Sequence, residues 1–73
     1  MSPSPWKRYV ARLCSEAWGL DALATDKVVT RLEALVAADD LTDSAVARVL
    51  YRSGVPEYSA DLISSSIRVA IVA

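Results

Sequence analysis

The sequence predicts an all-α fold, a compact four-helix domain, and three observations lead there. Apolar residues make up 53% of the 73, far above the content of chains that stay disordered. They recur at the 3.6-residue helical period in four successive segments. The first three segments end at recognisable stops: Gly19, the Asp39-Asp40 pair and Gly54. A chain this short supports one domain, which buries only about 60% of the surface its unfolded form exposes. The expected helices cover residues 5–18, 26–38, 43–53 and 56–72, with a short N-terminal tail over residues 1–4.

The first helix opens with Ser4 as N-cap and Pro5 at the first helical position, where a missing N–H costs nothing. Trp6, Tyr9, Val10, Leu13, Cys14 and Ala17 form its apolar stripe. Trp18 lies at the margin, and Gly19 ends the helix. The connector that follows is expected to pin Leu20 and Leu23 against the core. Leu23 would sit on the wrong side of an earlier-starting second helix, so that helix is placed after Thr25 as N-cap, with Asp26 favourably on the N-terminal dipole. Val28, Val29, Leu32, Leu35 and Val36 make its stripe.

Thr42 is the expected N-cap of the third helix, with Leu41 before it and Val46 at the fourth helical position, the hydrophobic-staple arrangement. Ala45, Val46, Val49 and Leu50 face inward, Gly54 supplies a left-handed stop, and Pro56 follows two residues later. The last segment is apolar on most sides. Wound as a helix, Tyr58, Leu62, Ile63, Ile67, Val69, Ala70 and Ile71 spread over an arc of about 220°. An extended reading of Ser66 to Ile71 also alternates, but a lone strand has no ladder partner elsewhere in the chain, so helix is preferred. The expected core is Trp6, Leu13, Val28, Leu32, Val46, Leu50 and Leu62.

Composition limits the chemistry. With no His and a single Cys, one chain cannot build a His/Cys zinc site, a Ser-His or Cys-His nucleophile pair, or an internal disulfide. Cys14 falls on an apolar stripe and reads as a small buried hydrophobe. Asp39, Asp40 and Asp43 are explained by turn and capping positions, and they lack EF-hand spacing. No catalytic residue, cofactor or metal site is expected, and the chain is read as a non-enzymatic protein. Neither a signal-peptide core nor an apolar run near the ~20 residues needed to cross a bilayer is visible. A cytoplasmic protein is expected. Six of the eight cations are Arg, and Ala and Val abound, a bias of high-GC coding that suggests a bacterial or phage source.

The formal net charge of −1 argues against general nucleic-acid affinity. Sign is unevenly spread: residues 1–18 carry a net +2, residues 19–47 a net −4 and residues 48–73 a net +1. An acidic middle between mildly basic ends suits docking to a protein partner. The expected contacts are Arg48, Tyr51 and Arg52 on the outward side of the third helix, and Ile67 and Ile71 at the apolar end of the fourth. Arg with an interleaved Tyr is a composition favoured at interface centres, although Arg48 could instead pair locally with Ser44 or Asp43. The surplus apolar perimeter of the last helix points to an association surface, most simply a homodimer. The sequence is therefore read as a small protein-interaction module, an accessory protein that binds and modulates a larger one.

Two alternatives belong to other classes. The third and fourth helices with their turn have the spacing of a helix-turn-helix DNA-binding regulator, but Glu57 and Asp61 at the head of the reading helix would repel phosphates. The first helix, with Lys7, Arg8 and Arg12 opposite its apolar stripe, could lie on an anionic membrane surface, but the core needs that stripe.

Overall fold

A computed structural model of the chain describes residues 5–73. Among the described residues every regular element is helical. Helix α1 spans Pro5–Arg12 and runs into a π-helical turn over Leu13–Ala17. Helices α2, α3 and α4 span Ala22–Ala37, Asp43–Arg52 and Glu57–Val72. The Ser4 N-cap and the tail of residues 1–4 lie outside the described residues.

The helices close a cycle. Helix α1 packs on α2 and on α4, α2 packs on α3, and α3 packs most extensively on α4. The centre is filled by Val10, Cys14, Val28, Leu32, Val46, Leu50, Val55, Ala60 and Ile67, all buried. Trp6, Leu13, Trp18 and Leu20 are partly buried against them. The backbone of α4 runs close to α1 and α3 and not to α2, so α4 is one member of the ring.

The helix ends explain the corners. Three chain reversals share one device, a left-handed residue just past the helix, around which backbone N–H groups turn back onto the last carbonyls. After α3, Gly54 (φ +106°) donates to Tyr51 O at 3.2 Å, and Val55 donates to Leu50 O at 3.1 Å. Val55 and Leu50, joined by that bond, are both buried, which supplies the hydrophobic contact of the motif. After α2, Asp39 (φ +58°) donates to Val36 O at 3.2 Å and Asp40 to Leu35 O at 3.0 Å. After α1, Gly19 (φ +62°) occupies the same place, but the turn is one residue wider: Trp18 donates to Leu13 O at 3.3 Å, and Leu20 donates to Cys14 O at 2.8 Å.

That widening corrects the first helix. A regular α-helix would keep Ala17 on the stripe of Val10 and Cys14. The π turn carries an extra residue, so Ala17 is exposed and Trp18 and Leu20 pack on the core instead. The second helix also begins earlier than expected. Asp21, not Thr25, is its N-cap, and its carboxylate accepts from the Ala24 N–H at 2.8 Å. Leu20 alone pins the connector, while Leu23, expected inside, is 65% exposed on the first turn of α2. Thr42 does cap α3, accepting from the Ala45 N–H at 3.1 Å.

Tyr9 and Val36, expected on the apolar stripes of the first two helices, are exposed, and so is Leu62, expected in the core. Helix α4 turns inward the side carrying Ala60, Ser64 and Ile67. A serine can be buried there because its hydroxyl donates to Asp61 O at 3.0 Å, on its own helix. Small residues at 60 and 64, one turn apart, leave room for α3 to lie close.

Candidate protein-interaction surface

The side of α4 opposite its buried face is apolar. Tyr58 is 76% exposed, Leu62 64%, Val69 52% and Val72 67%. With exposed Ser65 they follow spacings of four, three, four and three residues along the helix. At 100° per residue these five positions fall within about 80° of arc, centred roughly 160° to 180° from Ile67. Helix α4 therefore has two separate apolar faces, one spent on the core and one open. Single exposed apolar residues are ordinary, but four aligned along one side of a short helix, with Ser65 between them, make a candidate association surface.

The sequence-expected contacts divide between these faces. Ile67 is fully buried and Ile71 is partly buried against the core. Ile67 thus has no surface to offer a partner. Tyr58, Leu62, Val69 and Val72 stand where it and Ile71 were expected. Arg48, Tyr51 and Arg52 are exposed on α3 as expected, but they do not form one cluster. Arg48 and Tyr51 line a shallow groove between α3 and α4 whose other wall bears Glu57 and Asp61. Arg52 lies in a second groove, against the start of α2, with Lys27, Arg31 and the exposed Leu23.

The uneven charge distribution is partly used within the molecule. Lys7 on α1 pairs with Glu33 on α2 at 2.9 Å, and Arg68 on α4 pairs with Asp43 at the head of α3. Each joins a basic end of the chain to its acidic middle. Because Asp43 is engaged by Arg68, Arg48 is left without an ion-pair partner among the described residues. The stripe of α1 is likewise spent: Val10 and Cys14 are buried, and Lys7 stands 5.9 Å from the Trp6 ring centroid. Burial pushes the Cys14 thiol above its ordinary pKa, which disfavours the nucleophilic thiolate.

Among the described residues there is no group of three or more acidic, Cys or His side chains placed to hold a metal ion, and no helix is long and apolar enough to cross a membrane. Comparisons with protein-family models, curated proteins and solved structures find no match.

Proposed function

We propose that this chain is a non-enzymatic protein-interaction module that works through the outer face of α4, flanked by Arg48 and Tyr51 of α3. The observation that carries this is the open row Tyr58, Leu62, Val69 and Val72 on a helix whose opposite side already builds the core. Leaving that much apolar surface in water is unfavourable, by roughly 25 cal/mol per Å² relative to burying it, and a protein surface is the covering that turns this cost into affinity. Arg48 and Tyr51 add a polar, aromatic rim of the type found around such patches. Self-association is the simplest use of the face, and docking on a larger protein is the other. A cytoplasmic accessory protein of bacterial or phage origin fits the free, buried Cys14 and the Arg-rich composition.

The DNA-binding alternative draws on Arg48 and Arg52, but these open into different grooves, and Glu57 and Asp61 line the one with Arg48. Affinity capture from the source cell, comparing wild type with Leu62→Glu, tests the module. A partner, or a second copy, held by wild type and lost on substitution is the expected result. Equal recovery by both proteins, together with salt-sensitive retention on duplex DNA that Arg48→Ala and Arg52→Ala weaken, would favour the regulator instead.

A further inference from the structure

The partner of the α4 face can be specified further on the strength of that reading. The 4-3-4-3 spacing of Tyr58, Leu62, Ser65, Val69 and Val72 is the pattern of a two-helix seam, with Leu62 and Val69 at one repeating position and Tyr58, Ser65 and Val72 at the other. The row is close to symmetric about Ser65. Reversing it exchanges Tyr58 with Val72 and Leu62 with Val69, a large residue with an apolar one in each case. The smallest side chain stays at the middle, where two crossing helices come closest. We infer that the face is covered by α4 of a second copy, lying antiparallel across a two-fold axis through Ser65.

Charge on the flank selects this orientation. Asp61 and Arg68 stand on the same side of the seam, seven residues apart, each just before one of the seam residues Leu62 and Val69. In an antiparallel pair that flank meets its own copy, so Asp61 falls beside Arg68 of the second molecule and the reverse pair forms as well. Arg68 uses Nε for Asp43 of its own chain, and among the described residues neither Nη donates a hydrogen bond, so both can fork onto the incoming carboxylate. A parallel pair would set Asp61 beside Ser66 and form neither ion pair. Ser59 and Ser66 line the other flank, so no like charges meet there.

Sixteen residues of α4 make a seam about 24 Å long. That length places the interface below the ~1,200 Å² of the smallest standard interfaces, so association is expected at micromolar concentrations or weaker. Sedimentation equilibrium from ~10 μM to ~1 mM should show the mass rising from 7.9 kDa toward twice that value. Leu62→Glu should hold it at 7.9 kDa with an unchanged helical spectrum, since Leu62 is outside the core.

Orientation is read by oxidative cross-linking of Tyr58→Cys and Val72→Cys. The two mixed should give a covalent dimer, and each alone should not; Cys14 is buried and takes no part. Cross-linking of each variant with itself would overturn the antiparallel arrangement in favour of a parallel one. A wild type that stays monomeric to ~1 mM would overturn self-association altogether. If Leu62→Glu still abolished capture of a cellular protein in that case, the module would stand with a foreign occupant. If it did not, the module would fall too.

Discussion

The left-handed corner after α3 allows a quantitative test of how this fold is held. Gly54 sits at φ +106°, and a Cβ built there would meet only Leu20 Cδ2, at an ordinary 3.7 Å. Gly54→Ala therefore creates no clash, and its whole effect is on the backbone. Holding an L-residue in the left-handed region costs roughly 1–2 kcal/mol, and φ +106° lies well outside the small favourable well near +57°. The upper end of that range applies, reduced by about 0.4–1 kcal/mol because Ala also restricts the unfolded chain. A net loss of about 1–1.5 kcal/mol follows.

Gly19, at φ +62° with open space around it, is inside the well, and Gly19→Ala should lose only about 0.5 kcal/mol by the same balance. Asp39, already a side-chain-bearing residue at φ +58°, should gain a few tenths of a kcal/mol on change to Gly. Urea titrations followed by helical circular dichroism would resolve the order. With a slope near 1 kcal/mol per molar for so small a domain, Gly54→Ala should lower the midpoint by about 1–1.5 M. A Gly54→Ala midpoint equal to or above that of Gly19→Ala would refute the backbone account, as would a clear loss at Asp39→Gly.

Two further outcomes test the assignment of faces and the environment of the thiol. Leu50→Ala should cost about 2–5 kcal/mol because its side chain is fully enclosed, whereas Leu62→Ala, measured on dilute protein, should stay within ~0.5 kcal/mol of wild type; comparable losses at both would mean that α4 is turned the other way. Cys14 has its pKa raised by burial, so the folded state keeps its proton where the unfolded chain loses it. Stability should therefore hold below the ordinary thiol pKa of about 8.5 and decline as pH rises above it. A Cys14→Ala variant that declined as steeply over pH 8 to 10 would show that other groups are responsible.

How much could be read from the sequence depended on whether the signal was local. Thr42 and Gly54 were legible as cap and stop because their roles are settled within a few residues, by one hydrogen bond to Ala45 and one left-handed dihedral. The start of α2 is not, because Asp21 and Thr25 are both good caps one turn apart, and the preference of Leu23 for burial, which favours Thr25, is weak: an exposed leucine on a first turn costs little. The π turn at Leu13–Ala17 carries no composition of its own; it is visible only once Trp18 and Leu20 are packed. Arg48, Tyr51 and Arg52 were placed correctly as outward because α3 has one clear apolar stripe. Helix α4 has two, and periodicity cannot choose between opposite faces of similar hydrophobicity. The choice was made by volume, with Ala60 and Ser64 admitting α3 where Tyr58 and Leu62 would have kept it away.

The three corners bear on how quickly the molecule assembles. Each reversal is fixed by bonds between residues no more than six apart, so the chain can bend before distant parts meet. What remains is the docking of short, already angled rods, each against its neighbour along the chain, with only α1 against α4 joining remote segments. Topologies of this sort reach the native state in microseconds to milliseconds, which gives the core side chains little time to meet another chain before the helices close over them.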